Sequence, residues 1–139
     1  MKLPPALCAC FKSALIAAAA CLACTAQAAT PDDLLAGYTA AAGTPASPER
    51  GQKLFTRNFG TPMGLSCSSC HGDVPTKRGK DQITDKAILP LAPAFNPLRF
   101  TDQSKVEHAF RVNCRDIVGR DCTAGEKADV LSWLLTLKP

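Results

Sequence analysis

The chain has 139 residues, of which 46% are hydrophobic, and its 16 Lys and Arg against 12 Asp and Glu give a formal net charge of +4. This length predicts a single domain, and so small an excess of basic residues excludes the electrostatic footprint of a nucleic-acid-binding protein. Eight cysteines are many for such a chain, and their spacing carries most of the functional information.

The first 28 residues have the pattern of a secretory signal peptide. Lys2 and Lys12 supply positive charge, an apolar run follows over residues 13–24, and Ala26-Gln27-Ala28 is typical of a cleavage site. Because the apolar run is too short to cross a bilayer, we predict a cleaved leader, export to the periplasm and no membrane-spanning segment.

Cleavage after Ala28 would leave one domain, residues 29–139, with 14 basic against 12 acidic residues and a net charge of +2. It would also divide the cysteines evenly, because four lie in the leader and four remain in the domain: Cys67, Cys70, Cys114 and Cys122. The alternative is a lipid anchor on Cys24.

Two helices are predicted at the start of the domain. Thr30-Pro31 has the N-cap and first-turn residues of a helix that runs to about Ala42, and Ser47-Pro48-Glu49 begins a second. Gly51 lies one turn before Phe55, where a missing side chain allows another helix to cross closely. No segment shows the alternation of β-branched residues that indicates strands, so we expect an all-α domain.

The most informative motif is Cys67-Ser68-Ser69-Cys70-His71, the attachment pattern of c-type haem. We expect Cys67 and Cys70 to form thioethers with the haem vinyl groups and His71 to bind the iron from the proximal side. A zinc half-site would need a second pair of ligands at similar spacing, and a redox dithiol would need a βαβ pattern that the sequence lacks.

Two segments after the motif suggest further contacts. Lys77, Arg78 and Lys80 form a basic cluster, which is either a docking surface for an acidic redox partner or a solvated loop. Residues 88–100 are apolar and contain three prolines, which prevent a continuous helix. This segment is either a wall of the haem cavity or an ordinary packed loop, and Arg99 is a candidate for contact with a propionate.

The second axial ligand determines whether the haem only carries electrons or also binds a small molecule. Met63 lies just before the motif, on the wrong side for a distal ligand. Helical phase places His108 on the solvated face and five residues on the apolar one: Val106, Ala109, Phe110, Asn113 and Ile117. A buried amide needs a partner, so Asn113 is either a structural hydrogen-bonding group or a group that faces the iron or its ligand.

Cys114 and Cys122 should form a disulfide in an exported protein. Closing so small a loop stabilises the fold by roughly 2–3 kcal/mol in the chain-entropy model. The bond is either a structural staple or redox-active.

The last helix begins at a capping box, Thr123 to Glu126, and its apolar residues recur at helical spacing: Val130, Trp133, Leu134 and Leu137. The second and the last helix, which are predicted to cross at Gly51 and Trp133, resemble the crossed first and last helices in the core of class I cytochromes c. We therefore predict a class I cytochrome c-like fold, with helices and proline-rich loops around one haem.

Residues 92–102 and 113–130, together with the haem motif, resemble the sphaeroides haem protein (SHP) family over nearly the whole domain. The resemblance implies one covalent haem c and Asn113 as the sixth ligand of the ferric iron, released on reduction so that O2, NO or CO can bind. It also implies a disulfide between Cys114 and Cys122 beside the distal site, and a dihaem cytochrome c as redox partner.

Three functions are compatible with these residues. The first is a gas-binding or redox-sensing haem protein, which could also reduce oxygen or nitric oxide when supplied with electrons. The second is a low-spin electron carrier ligated by His108 or Met63, and the third is a structural metal module on Cys67 and Cys70. No carboxylate pair or histidine is identifiably placed for proton delivery, so no catalytic residue is assigned.

Overall fold

A computed structural model describes residues 29–139, and the predicted leader lies outside the described residues. Its helices are α1 (Pro31–Ala42), α2 (Pro48–Thr56), α3 (Cys67–His71), α4 (Gln103–Ile117) and α5 (Ala124–Thr136). A ladder of two short strands, β1 (Gly79–Lys80) and β2 (Ala87–Ile88), and a 3-10 turn at Pro93–Phe95 lie between α3 and α4. The predicted all-α class is confirmed, since helices dominate the described range.

The predicted helix starts are confirmed by their N-caps. The side-chain oxygen of Thr30 accepts the backbone N–H of Asp33 at 3.1 Å, and that of Ser47 accepts the backbone N–H of Arg50 at 3.2 Å. At α5 the capping box is complete, because Thr123 and Glu126 each accept the other's backbone N–H. These bonds satisfy donors that a helix start otherwise leaves unpaired.

The core is a bundle of α1, α2 and α5, in which α2 and α5 make the most extensive contact. Gly51 lies where these two helices cross, and a Cβ atom there would overlap the backbone carbonyl of Asp129. One turn further on, the rings of Phe55 and Trp133 pack with centroids 5.0 Å apart. The predicted close crossing of the second and last helices is therefore confirmed.

A half-buried ion pair supports the same crossing, with Asp129 buried and Arg50 partly exposed. Asp129 on α5 is buried, and its carboxylate accepts Arg50 Nε at 2.7 Å and Arg50 Nη2 at 2.8 Å. It also accepts the backbone N–H of Ser47 at 2.7 Å, so the carboxylate ties the start of α2 to the middle of α5. Bidentate pairing of this kind fixes orientation as well as distance.

The small ladder was not predicted from the sequence. Gly79 pairs with Ile88 and Lys80 with Ala87 in antiparallel register. Each strand has only two residues, too few to show an alternating pattern. The ladder packs against α3. Gly79 approaches the α3 backbone so closely that a Cβ atom there would overlap the carbonyl oxygen of Cys70.

Candidate functional site

The Cys-x-x-Cys-His motif forms a short helix, α3, that depends on its cap. The hydroxyl of buried Ser66 accepts the backbone N–H of Ser69 at 3.2 Å, and the Ser69 hydroxyl accepts the backbone N–H of Ser66 at 3.0 Å. A helix of five residues has little stability of its own, so this reciprocal cap keeps the motif in shape. Ser66 was not predicted from the sequence, although a serine three residues before another is a recognisable capping signal.

The side chains of the motif are in a partly buried setting. Cys67 and Cys70 are free thiols, and burial raises the pKa of the Cys67 thiol to about 11. Burial lowers the pKa of His71, and the charge of Arg99 lowers it further, so the imidazole is neutral at pH 7. The Phe55 ring lies beside it, with centroids 6.1 Å apart. A neutral imidazole has the lone pair that a metal requires.

The proline-rich loop is held against the segment that follows the motif. The backbone N–H groups of Leu91 and Ala92 both donate to the carbonyl of Pro75 at 3.1 Å. Arg99 donates from Nε to the carbonyl of Pro90 at 3.1 Å and from Nη2 to that of Leu89 at 3.0 Å. Arg99 therefore organises the loop, and its contact with a propionate stays a prediction.

Helix α4 presents a different side to the core from the predicted one. Ile117 is buried and Phe110 partly buried, as expected, but Ala109 and Asn113 are exposed, and Cys114 is buried instead. At about 100° per residue, the buried side is rotated by roughly 60° toward Cys114. Asn113 therefore lies at the exposed edge of the buried side, not at the centre of the inward face that helical phase predicts, and its role as an iron ligand stays a prediction.

Two bonds from α4 to the segment after it account for this rotation. Cys114 and Cys122 form a disulfide with their Cα atoms 5.7 Å apart, and Lys127 Nζ donates to the carboxylate of Glu107 at 2.6 Å. The disulfide connects α4 to the residue before the N-cap of α5, and the ion pair connects α4 to the first turns of α5, so the side of α4 that carries both bonds turns inward. Neither bond is visible in the hydrophobic periodicity on which the prediction was based.

The alternative axial ligands have different positions. His108 is exposed, as predicted, and its Nδ1 lies 3.2 Å from an Arg111 nitrogen. Met63 is 36% exposed and precedes α3. Helix α3 packs chiefly against α2 and β1, so His71 and Asn113 lie on elements that do not pack extensively against each other.

Two arginines near the disulfide are paired with carboxylates. Arg115 donates to Asp121 at 2.7 and 3.1 Å, and Arg120 donates to Glu126 at 2.8 and 2.6 Å. Both guanidinium groups are thus engaged in ion pairs that span the connection between α4 and α5.

The donor set fits a covalently held haem. Two thiols three residues apart, not joined to each other, are followed directly by a neutral imidazole, as thioether attachment and proximal ligation require. It does not fit a zinc cluster, because no three His, Cys, Asp or Glu side chains within residues 29–139 are grouped as metal ligands. In the same range, no helix has both the length and the apolar character needed to cross a bilayer.

Comparison with known sequences gives a family match over residues 41–134, to the family described as domain of unknown function DUF1924. The chain is 51% identical to cytochrome c-type protein SHP of Cereibacter sphaeroides over 107 residues, which cover 76% of this chain and 82% of that protein. It is 48% identical to cytochrome c'' of Methylophilus methylotrophus over 88 residues, 62% of this chain and 61% of that protein.

Solved structures give a similar result. The structure of oxidised SHP, described as an oxygen-binding cytochrome c, matches with a TM-score of 0.74 and 48% identity, over 79% of this chain and 99% of that one. Oxidised cytochrome c'' of Methylophilus methylotrophus matches with a TM-score of 0.73 and 40% identity, over 78% and 95% of the two chains. A solution structure of cytochrome c'', concerned with haem-ligand detachment, matches with a TM-score of 0.70 and 40% identity, over 78% and 94%.

Proposed function

Because the chain belongs to the SHP family of cytochromes c and carries one covalent haem c, we propose that it is a periplasmic electron carrier whose distal haem site opens on reduction to admit a diatomic gas. The observation that supports this most directly is the motif Cys67-x-x-Cys70-His71, folded as a capped helix, in a chain 51% identical to SHP.

Cys67 and Cys70 are the proposed attachment residues. Each thiol would add across one vinyl group, with its sulfur bonding to one vinyl carbon and a proton going to the other. The cap at Ser66 and the contact of Gly79 with α3 hold the two sulfurs at a fixed spacing for both additions.

His71 is the proposed proximal ligand, and Phe55 and Arg99 constrain it. The ring of Phe55 packs beside the imidazole, and Arg99 both orders the neighbouring loop and disfavours protonation of His71. When bound, the haem supplies an iron that exchanges one electron and, with a coordination position open, takes a diatomic ligand.

Asn113 is the proposed distal ligand of the ferric state. An amide oxygen is a hard, neutral and weak ligand, which favours ferric over ferrous iron, so one added electron would loosen it. Asn113 lies at the edge of the buried side of α4, where the polypeptide does not enclose its amide. The amide is therefore accessible to a haem, which supports the proposal. Oxygen binding by SHP and ligand detachment in cytochrome c'' are described for two relatives and support a distal ligand that can leave.

The decisive experiment replaces Asn113 by Ala in the haem-loaded protein. We expect the ferric absorption spectrum to change, because a weak ligand is lost, while CO binding by the reduced protein persists. Absorption spectra of both oxidation states, with and without CO, measure this. An unchanged ferric spectrum would reject Asn113 as the ligand.

Two control variants test the electron-carrier alternative. His108→Ala and Met63→Leu should leave the ferric spectrum as it is in the parent protein, because neither side chain is a ligand under this proposal. A spectral change in either variant, together with failure of the reduced protein to bind CO, would favour a low-spin electron carrier.

The compartment and the redox partner complete the proposal. The disulfide between Cys114 and Cys122 agrees with an oxidising compartment such as the periplasm. The proposed partner is a dihaem cytochrome c, and oxygen or nitric oxide reduction is the proposed extension of the activity. N-terminal sequencing of periplasmic protein should find Ala29 first, and stopped-flow mixing with a reduced dihaem cytochrome c should show electron transfer.

A further inference from the structure

Helix α4 is attached to the rest of the domain at two separated places. At its C-terminal end, Cys114 and Ile117 are buried and Cys114 is in the disulfide. In its first half, the attachment depends on Glu107 and Phe110, which contact residues of α1 and α5. Contacts between α4 and the other elements are otherwise few. The position of the helix is therefore sensitive to each attachment.

The attachment in the first half is centred on one ammonium group. Lys127 of α5 is 18% exposed, and its Nζ lies 2.6 Å from a Glu107 carboxylate oxygen. The same Nζ lies 5.4 Å from the centroid of the Tyr38 ring and 5.8 Å from that of the Phe110 ring. One cation thus contacts α1 and α4 through both ion-pair and cation–π interactions, which strengthen with desolvation.

The two aromatic rings complete this cluster. Tyr38 is 8% exposed, and its ring meets Phe110 edge to face with centroids 5.9 Å apart. Among the described residues its buried hydroxyl has no hydrogen-bond partner of good geometry, although it faces Glu107. Tyr38 therefore contributes to the cluster through its ring and not through its hydroxyl.

The cluster is close to Asn113 along the helix. Phe110 lies three residues before Asn113, and side chains three apart on a helix are neighbours on one side. A shift or rotation of α4 at Phe110 is passed directly to the Asn113 amide, because the intervening turn is continuous helix.

From this geometry we infer that Tyr38, Glu107 and Lys127 are positioning residues, which hold α4 so that the Asn113 amide stays at the distal side of the ferric haem. The inference rests on the proposed role of Asn113. The cluster touches neither Asn113 nor the haem motif in the contacts described, and it acts through the helix.

The test uses the ferric, haem-loaded protein and imidazole as an external ligand, which binds only when Asn113 has left. Lys127→Met keeps most of the length of the side chain and removes its charge. We expect imidazole to bind roughly five- to tenfold faster, because a partly buried charged hydrogen bond is lost. A rate equal to that of the parent protein would overturn the inference.

A matched control is available on the same helix. Lys105 pairs with Asp102 at 2.9 Å, but its side chain is 85% exposed. Lys105→Met should leave the imidazole rate unchanged, because an exposed pair of this kind contributes little. An equal acceleration in both variants would show that loss of any positive charge suffices, and would overturn the positioning role.

A double variant separates positioning from general loosening. In an Asn113→Ala background, Lys127→Met should no longer change the imidazole rate, since the ligand it positions is absent. A persisting effect would overturn the inference. If the Asn113→Ala variant binds imidazole at the parent rate, the proposed role of Asn113 fails. If Asn113→Ala binds imidazole faster than the parent but Lys127→Met binds it at the parent rate, only the positioning inference fails.

Glu107→Gln provides the same test should Lys127→Met fail to fold. It removes the carboxylate charge while Lys127 stays over the two rings, so we expect a smaller acceleration, roughly two- to threefold. A parent rate in a folded Glu107→Gln protein, checked by its unfolding transition, would overturn the inference.

Discussion

The bundle of α1, α2 and α5 and the single helix α4 are stabilised in different ways. In the bundle, apolar contact is continuous, and the helices meet backbone to backbone at Gly51. Helix α4 is tied on by a disulfide and an ion pair, and much of its remaining surface is exposed. Continuous packing resists local opening, whereas a helix held at two places opens more easily. His71 lies on α3, which packs against α2 of the bundle, whereas Asn113 lies on the less firmly held helix α4.

The largest expected effect concerns the crossing of α2 and α5. Gly51→Ala places a Cβ atom into the backbone carbonyl of Asp129, which cannot move aside as a flexible side chain could. We expect the free energy of unfolding to fall by about 3 kcal/mol or more. Urea titration of the haem-loaded protein measures it.

The control for Gly51→Ala is Gly37→Ala on α1, where no atom lies within 4 Å of the added Cβ. This change should raise the free energy of unfolding by about 0.5–1 kcal/mol, because alanine favours a helix interior. Equal destabilisation by the two variants would contradict the close crossing as the cause.

The second effect concerns the attachment of α4. Replacing both Cys114 and Cys122 by Ser should lower the free energy of unfolding by roughly 2–3 kcal/mol, through the loop entropy of the unfolded chain. Hydrogen exchange should increase more in α4 than in α5. As a control, Arg115→Gln breaks an exposed ion pair of the same loop and should cause no measurable change. Uniform loss of protection in both helices would mean that α4 is not a separate unit.

The smallest effect concerns the start of α5. The hydrogen bond from Arg120 lowers the pKa of Glu126 below its ordinary value of 4.5. The folded state thus favours the charged carboxylate, and its stabilisation is present above pH 4.5 and lost as the pH falls through the folded pKa. Glu126→Gln should cost under about 1 kcal/mol at pH 7.

The pH profile of this variant provides its check. Thermal unfolding should show a difference between the parent protein and Glu126→Gln that is constant above pH 4.5 and shrinks below it. A difference that grows on acidification would contradict the stated direction.

The helix starts could be predicted from the sequence because caps are local. Thr30, Ser47 and Thr123 each act on residues within one turn, so their effect is readable from neighbouring letters. The crossing at Gly51 was also accessible, since a glycine in an amphipathic helix indicates a close approach.

The rotation of α4 could not be predicted in the same way. Glu107 and Lys127 are twenty residues apart, and nothing in the local pattern shows that they pair. Hydrophobic periodicity depends only on which residues are apolar, so it predicted Asn113 near the middle of the inward side of α4 rather than at its edge. The β1–β2 ladder was missed because its strands are shorter than one alternation.

The burial of Cys67 has a consequence for the protein before its cofactor is attached. Thiolate, rather than thiol, attacks disulfides and oxidants, and a pKa of about 11 leaves very little of it at neutral pH. In the folded chain, Cys67 should therefore be slow to form a disulfide with Cys70 at neutral pH. The same burial that shapes the attachment site also preserves its reduced sulfurs.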